Sequence, residues 1–194
     1  MTFARRRHQL GVGLVALVLL AAATLLDDWL PGETDDPGAE PFVRVAGVGE
    51  SVDLRTARVQ VDAVRVAKVL VDVGTELRSP GVWVLVEFTA EAARESTGVR
   101  FAELRDEEGR IWSLTGRSET NCPEGPPGVP MGCVAFFEVP ADAVASLRLR
   151  LAREPFEQRY DVVAEVDLDL TDEDAAAAAG APPLEVPDST LGGE

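Results

Sequence analysis

Cys122 and Cys133 are the only cysteines in the chain, and they bracket NCPEGPPGVPMGC, a run with four prolines and three glycines at 121–133. Two thiols can hold a metal, form a redox couple or close a disulfide. Zinc needs four ligands, and the eleven-residue step between the cysteines is not the C-x-x-C clip of zinc or thioredoxin-like centres. The single histidine, His8, precedes an apolar N-terminal run, so no imidazole is left for a nucleophile–histidine pair in the rest of the chain. Lys68 is the only lysine, and in RVAKVLV it reads as a strand residue pointing to solvent. A disulfide is therefore expected, with a free or metal-bound pair as the alternative. The proline-stiffened loop reads as a hairpin tip, and Pro123, Glu124, Pro126, Pro127, Val129 and Met131 form its candidate contact surface.

The acids offer two further chemistries. DLDLTDED at 167–174 places Asp167, Asp169, Asp172 and Asp174 as in the opening of a calcium loop. The central glycine and the glutamate at the twelfth position of such a loop are missing. A solvated strand edge is the expectation there, and a calcium-binding structural domain the alternative. Paired carboxylates can also run acid–base hydrolysis. With 22 acids between 42 and 170, however, no pair is distinguished by its context, so a small secreted carboxylate hydrolase stays an alternative. No glycine-rich phosphate cradle follows a strand, and no cofactor is expected.

The address of these residues comes from the N-terminus. MTFARRR is positive, Leu10–Leu26 is free of charge, and six acids without a base follow in 27–41. That order places the C-terminal bulk outside the membrane. Seventeen helical residues span about 25 Å, near the lower limit for crossing a bilayer. A retained signal anchor over 1–26 is expected, with cleavage near Ala23 and secretion as the alternative. Net charge is −16, and the ends carry much of it, since residues 42–170 balance to −7. Nucleic acid would be repelled and is excluded as a partner.

The elements that must position the loop read as strands. RVQVDAVRVAKVLV clusters valines, GVWVLVEF is dense enough for a central strand buried on both faces, and VRFAEL with RIWSLT forms a hairpin around Gly109. Pro80–Gly81 reads as a type II turn before Val82. Phe136 and Phe137 must point to opposite faces of CVAFFEV, and ADAVAS at 141–146 reads as a short helical connector. In SLRLRLA and VAEVDLDL, Arg148 and Arg150 oppose the leucines, while Glu165, Asp167 and Asp169 oppose Val166, Leu168 and Leu170. Pairing of these two strands would set arginine against acid on an exposed outer face. The domain plan is a signal anchor at 1–26, an acidic flexible linker at 27–41, a β-sandwich at 42–170 and a disordered acidic tail at 171–194.

GVWVLVEF at 81–88, LRDEEGRIW at 104–112 and FFEVP at 136–140 resemble the glycine-led central strand, the hairpin and the strand end of one family. It comprises extracytoplasmic domains of actinobacteria and other Gram-positive bacteria, akin to the immunoprotective secreted antigens. The resemblance implies an all-β, antiparallel immunoglobulin-like sandwich after one N-terminal transmembrane or signal helix. It implies no catalytic residues. The lipid-bearing cysteine of many relatives is absent here, which leaves attachment to the apolar run. The expected function is a non-catalytic, membrane-tethered binding or cell-envelope module. Its expected partner is an envelope protein, a polymer or a small ligand.

Overall fold

The computed structural model describes residues 41–114, 116–154 and 161–188. The expected anchor and nearly all of the acidic linker lie outside the described residues. In chain order the strands are β1 (Phe42–Gly47), β2 (Ser51–Asp53), β3 (Ala57–Asp72), β4 (Thr75–Ala92), β5 (Phe101–Arg105) and β6 (Ile111–Ser113). There follow β7 (Glu119–Asn121), β8 (Pro130–Val139), β9 (Arg148–Ala152), β10 (Val162–Asp167) and β11 (Leu184–Glu185). A 3-10 turn at Ala141–Ser146 sits where the short connector was expected, and a helix α1 spans Asp172–Ala177.

Two sheets form a sandwich. The first has the order β1-β10-β9-β5-β6, and the second runs β11-β3-β4-β8-β7 with β2 beside β3. Most neighbours are antiparallel, but β1 pairs with β10 and β11 with β3 in parallel. β3 and β4 are neighbours in one sheet, whereas an immunoglobulin constant-type sandwich sends its second and third strands to opposite sheets.

Period-two patterning explains the core. Val82, Val84, Val86 and Phe88 of β4 point inward with Ala135, Phe137 and Val139 of β8. They meet Leu104, Leu149, Leu151, Val162, Ala164 and Val166 of the facing sheet. The alternate residues Trp83 and Leu85 point outward yet are 0% exposed, because a second apolar cluster covers that face. Its members are Ala67, Leu70, Trp83, Leu85, Val134, Phe136 and Leu184, with Leu77, Ala181 and Val186 packed on them. The adjacent phenylalanines do split: Phe137 enters the main core and Phe136 the second one, edge-on to Trp83 at 6.0 Å between centroids.

Three expectations need correction. Pro80–Gly81 is no turn between strands, because it lies inside β4, in a bulge that sets Ala67 opposite Trp83 and Val69 opposite Arg78. The reversal occurs instead at Val73–Gly74, between the paired residues Asp72 and Thr75. Gly81 is needed for close approach, since a Cβ there would stand 2.1 Å from the Val139 carbonyl oxygen.

The second correction concerns Lys68, which does not simply face solvent. Its ammonium donates to the Pro80 and Gly81 carbonyls that the bulge turns out of the ladder.

The third is the tail. Residues 171–188 fold: Thr171 and Asp174 form a capping box on α1, Ala178 joins the main core, and β11 adds to the edge of β3. Leu184, only 7% exposed, supplies the apolar contact that composition alone hid.

Candidate contact surface

β7 and β8 are antiparallel neighbours, with Asn121 opposite Val134, and this pairing brings their ends together at the cysteines. Cys133 sits on the inward face of β8, opposite Phe88 of β4. Cys122 follows β7 directly, and the two are joined by a disulfide with Cα atoms 4.5 Å apart. No free cysteine remains.

The loop closed by this bond does not project as a bare hairpin tip. It folds onto the connection between β4 and β5, where Thr97 and Gly125 exchange backbone hydrogen bonds of 3.2 and 3.1 Å. Gly128 N–H donates to the Ala92 carbonyl at 2.9 Å, and the Ser96 hydroxyl donates to the Gly125 carbonyl at 3.1 Å. A Cβ on Gly125 would approach Met131 Cγ to 2.4 Å, so the buried methionine side chain would have to shift to admit one. Met131 is 3% exposed, which removes it as the contact residue expected from sequence, and Val129 is half-buried against the main core. Pro123 is half-buried. Glu124, Pro126 and Pro127 form the exposed crest, where Arg100 pairs with Glu124.

The calcium alternative meets a different arrangement. Asp174 is engaged as a cap, accepting from the Thr171 backbone N–H at 2.9 Å and its hydroxyl at 2.6 Å. These bonds hold its carboxyl below the ordinary 3.8. The Asp167 side chain accepts from Asp169 N–H at 3.0 Å in a turn where Asp169 takes a φ of 51°. Among the described residues no group of three or more acids, cysteines or histidines is placed to share a metal ion.

The other titratable groups are tied into structural contacts. Asp106 begins the β5–β6 hairpin, in which Gly109 takes a φ of 81° as its sequence position suggested. Its carboxylate accepts from Arg110 N–H at 2.8 Å and from the Arg110 guanidinium, which also reaches Asp142 at 2.8 Å. Burial alone would raise the Asp106 carboxyl, but the hydrogen bonds and charge of Arg110 outweigh it and hold it below 3.8. The Arg110 hydrogen bond likewise lowers Asp142.

The outer face of the first sheet carries the expected ladder, with Glu165 opposite Arg150 and Asp167 opposite Arg148. Glu165 lies 3.6 Å from Arg148 and 3.7 Å from Arg150. The ladder departs from expectation in depth, because Arg150 is only 6% exposed and also faces Glu103 of β5 at 4.0 Å. Burial, then the nearby Arg105 charge, lowers the Arg150 pKa, and Glu103 and Glu165 oppose that shift.

A shallow open hollow lies between Pro80–Gly81 and Glu138–Ala141. Sequence reasoning missed the outer cluster around Trp83. A signal was available, because a central strand that is apolar on both faces requires a cover on its outer side.

No family model matches the chain, and no curated protein matches it. Among solved structures, the chain is similar to an uncharacterized beta-sandwich protein from Clostridium difficile 630. Identity is 12% and the TM-score 0.44, over 70% of this chain and 99% of that one. It is also similar to the yjhA protein from Bacillus subtilis, at 16% identity and a TM-score of 0.45, over 62% of this chain and 99% of that one.

Proposed function

We propose that this protein is a non-catalytic β-sandwich module held outside the cytoplasmic membrane by its N-terminal apolar run. Its partner in this reading is an envelope protein, a polymer or a small ligand. The observation that carries the reading is the Cys122–Cys133 disulfide, because such bonds persist in oxidising compartments outside the cytosol. The charge order of the first 41 residues supports the same side of the membrane. The crest of Glu124, Pro126 and Pro127 is the proposed contact surface: a disulfide and backbone bonds fix it, so binding would cost little ordering entropy. The likeness to immunoglobulin-like secreted antigens is a proposal about two-layer architecture, and does not extend to strand order.

Asp106 and Asp142 are both tied to Arg110, which holds their carboxyls low, so this pair is not the raised general acid that the hydrolase alternative would need. The experiment is cell fractionation of the full chain beside a version lacking residues 1–26, with thiol titration of the unreduced, denatured exported protein. The full chain should sediment with membranes and show no titratable thiol. Two free thiols, or a full chain confined to the cytosol, would overturn the reading. Crosslinking in intact cells through a photoreactive group at Pro126 should then capture the partner.

A further inference from the structure

We propose that the outer groove of the second sheet is a peptide-binding site, taking extended segments with leucine and valine two residues apart, and that residues 181–186 are its built-in competitor. The groove floor is Leu70 of β3, Trp83 and Leu85 of β4, and Val134 and Phe136 of β8. It lies toward the end of β4 away from the 121–133 loop, which is bonded at Ala92. Its test therefore stands apart from the tethering and crest readings.

The chain itself shows what fits. β11 adds in parallel to the edge of β3, with Leu184 opposite Leu70 and Glu185 opposite Val71, and Val186 N–H donates to the Val71 carbonyl at 3.0 Å. Leu184 is buried, Glu185 faces solvent and Val186 packs against the cluster, so side chains two apart enter the groove. Strand addition of this kind takes affinity from the main chain and specificity from alternate pockets. Pro182 and Pro183 lead into the strand and favour an extended approach.

The groove walls are fixed without help from the segment. Trp83 Nε1–H donates to the Leu77 carbonyl at 2.8 Å. The Arg117 guanidinium lies 4.8 Å from the Trp83 ring centre while bonding Glu138 and the Arg78 carbonyl. What must open is a two-residue strand at the sheet edge, the kind of element that opens at far lower cost than a central strand. A second peptide of the same pattern competes with it, and its apparent affinity scales with the fraction of molecules whose groove is open.

The test uses the full chain and a fluorescein-labelled peptide, GAPPLEVPD, which is the sequence of residues 180–188. In anisotropy titrations the Leu184→Asp variant, which expels its own segment, should bind the peptide about tenfold or more tightly than the unmodified chain. A peptide carrying aspartate in place of its leucine should not bind. A Leu184→Asp protein with native circular dichroism and one melting transition that binds no better than the unmodified chain would overturn the proposal. If that variant fails to fold, hydrogen exchange on the unmodified chain decides. The Val186 amide should exchange roughly tenfold or more faster than β4 amides through local opening. Exchange of both only by global unfolding would overturn the proposal.

Discussion

Among the described residues, Val73 is the β-branched one whose backbone takes a positive φ. It takes a φ of 45°, followed by Gly74 at 75°, the positive pair that a two-residue hairpin of type I′ requires. Glycine and asparagine tolerate that region, while a β-branched side chain is strained there. Nothing within the fold compensates, since Val73 is 97% exposed. Val73→Asn should therefore stabilise the protein by about 1 kcal/mol, read as a higher urea midpoint with an unchanged slope. Strained and exposed residues at a loop tip are retained more often for contact than for stability. A lowered midpoint would show that asparagine suits this backbone no better than valine, and the left-handed assignment would then fail.

At the scale of elements, the β5–β6 hairpin and the 3-10 turn are joined through Arg110, which bonds Asp106 on one and Asp142 on the other. Both carboxyls are lowered from 3.8 in the fold. A lowered carboxyl contributes stability that is fully present above its unfolded value and is lost as pH falls through the folded one. Acid melts below about pH 4 should therefore show a steep loss of stability that flattens in Asp106→Asn. An equally steep loss in the variant would place the acid sensitivity elsewhere. The elements themselves were readable to different depths. Alternation in SLRLRLA and VAEVDLDL identified two strands and which side chains share a face, because one face of each is apolar and the other charged; that they pair, and in which register, came from the fold. PPLEVPD carries only two apolar side chains between prolines, too few for a periodic signal, so β11 became visible only with its groove. Pro80–Gly81 misled for a related reason: a turn signature is local, and the bulge that uses it depends on Lys68 from the neighbouring strand. For the contact loop, the cysteine pairing was legible from elimination, but the burial of Met131 was not. Which residues lie under a loop depends on what it folds against, here Thr97 and Ala92, and spacing within the loop cannot report that.

For the whole molecule, the question is what the disulfide adds to a sandwich that already has two apolar clusters. The bond spans eleven positions, and the chain-entropy argument assigns a loop of that size about 3 kcal/mol through the unfolded state. Domains of this size are stable by about 5–15 kcal/mol in total, so the reduced protein should remain folded while losing a sizeable share of its margin. The loop is also held by the Thr97–Gly125 and Gly128–Ala92 backbone bonds, which keep the native geometry when the covalent link is cut. Reduction should therefore leave the native spectrum intact, lower the denaturant midpoint, and slightly raise the slope because the freed unfolded chain exposes more surface. The double variant Cys122→Ala/Cys133→Ala should behave as the reduced chain does, less a small packing loss at the buried Cys133 position. An unchanged midpoint in both would mean that proline stiffness already constrains the unfolded loop as much as the bond does. In either case the Thr97–Gly125 and Gly128–Ala92 bonds should keep the crest of Glu124, Pro126 and Pro127 in its native shape, so crosslinking yield at Pro126 should survive reduction under native conditions.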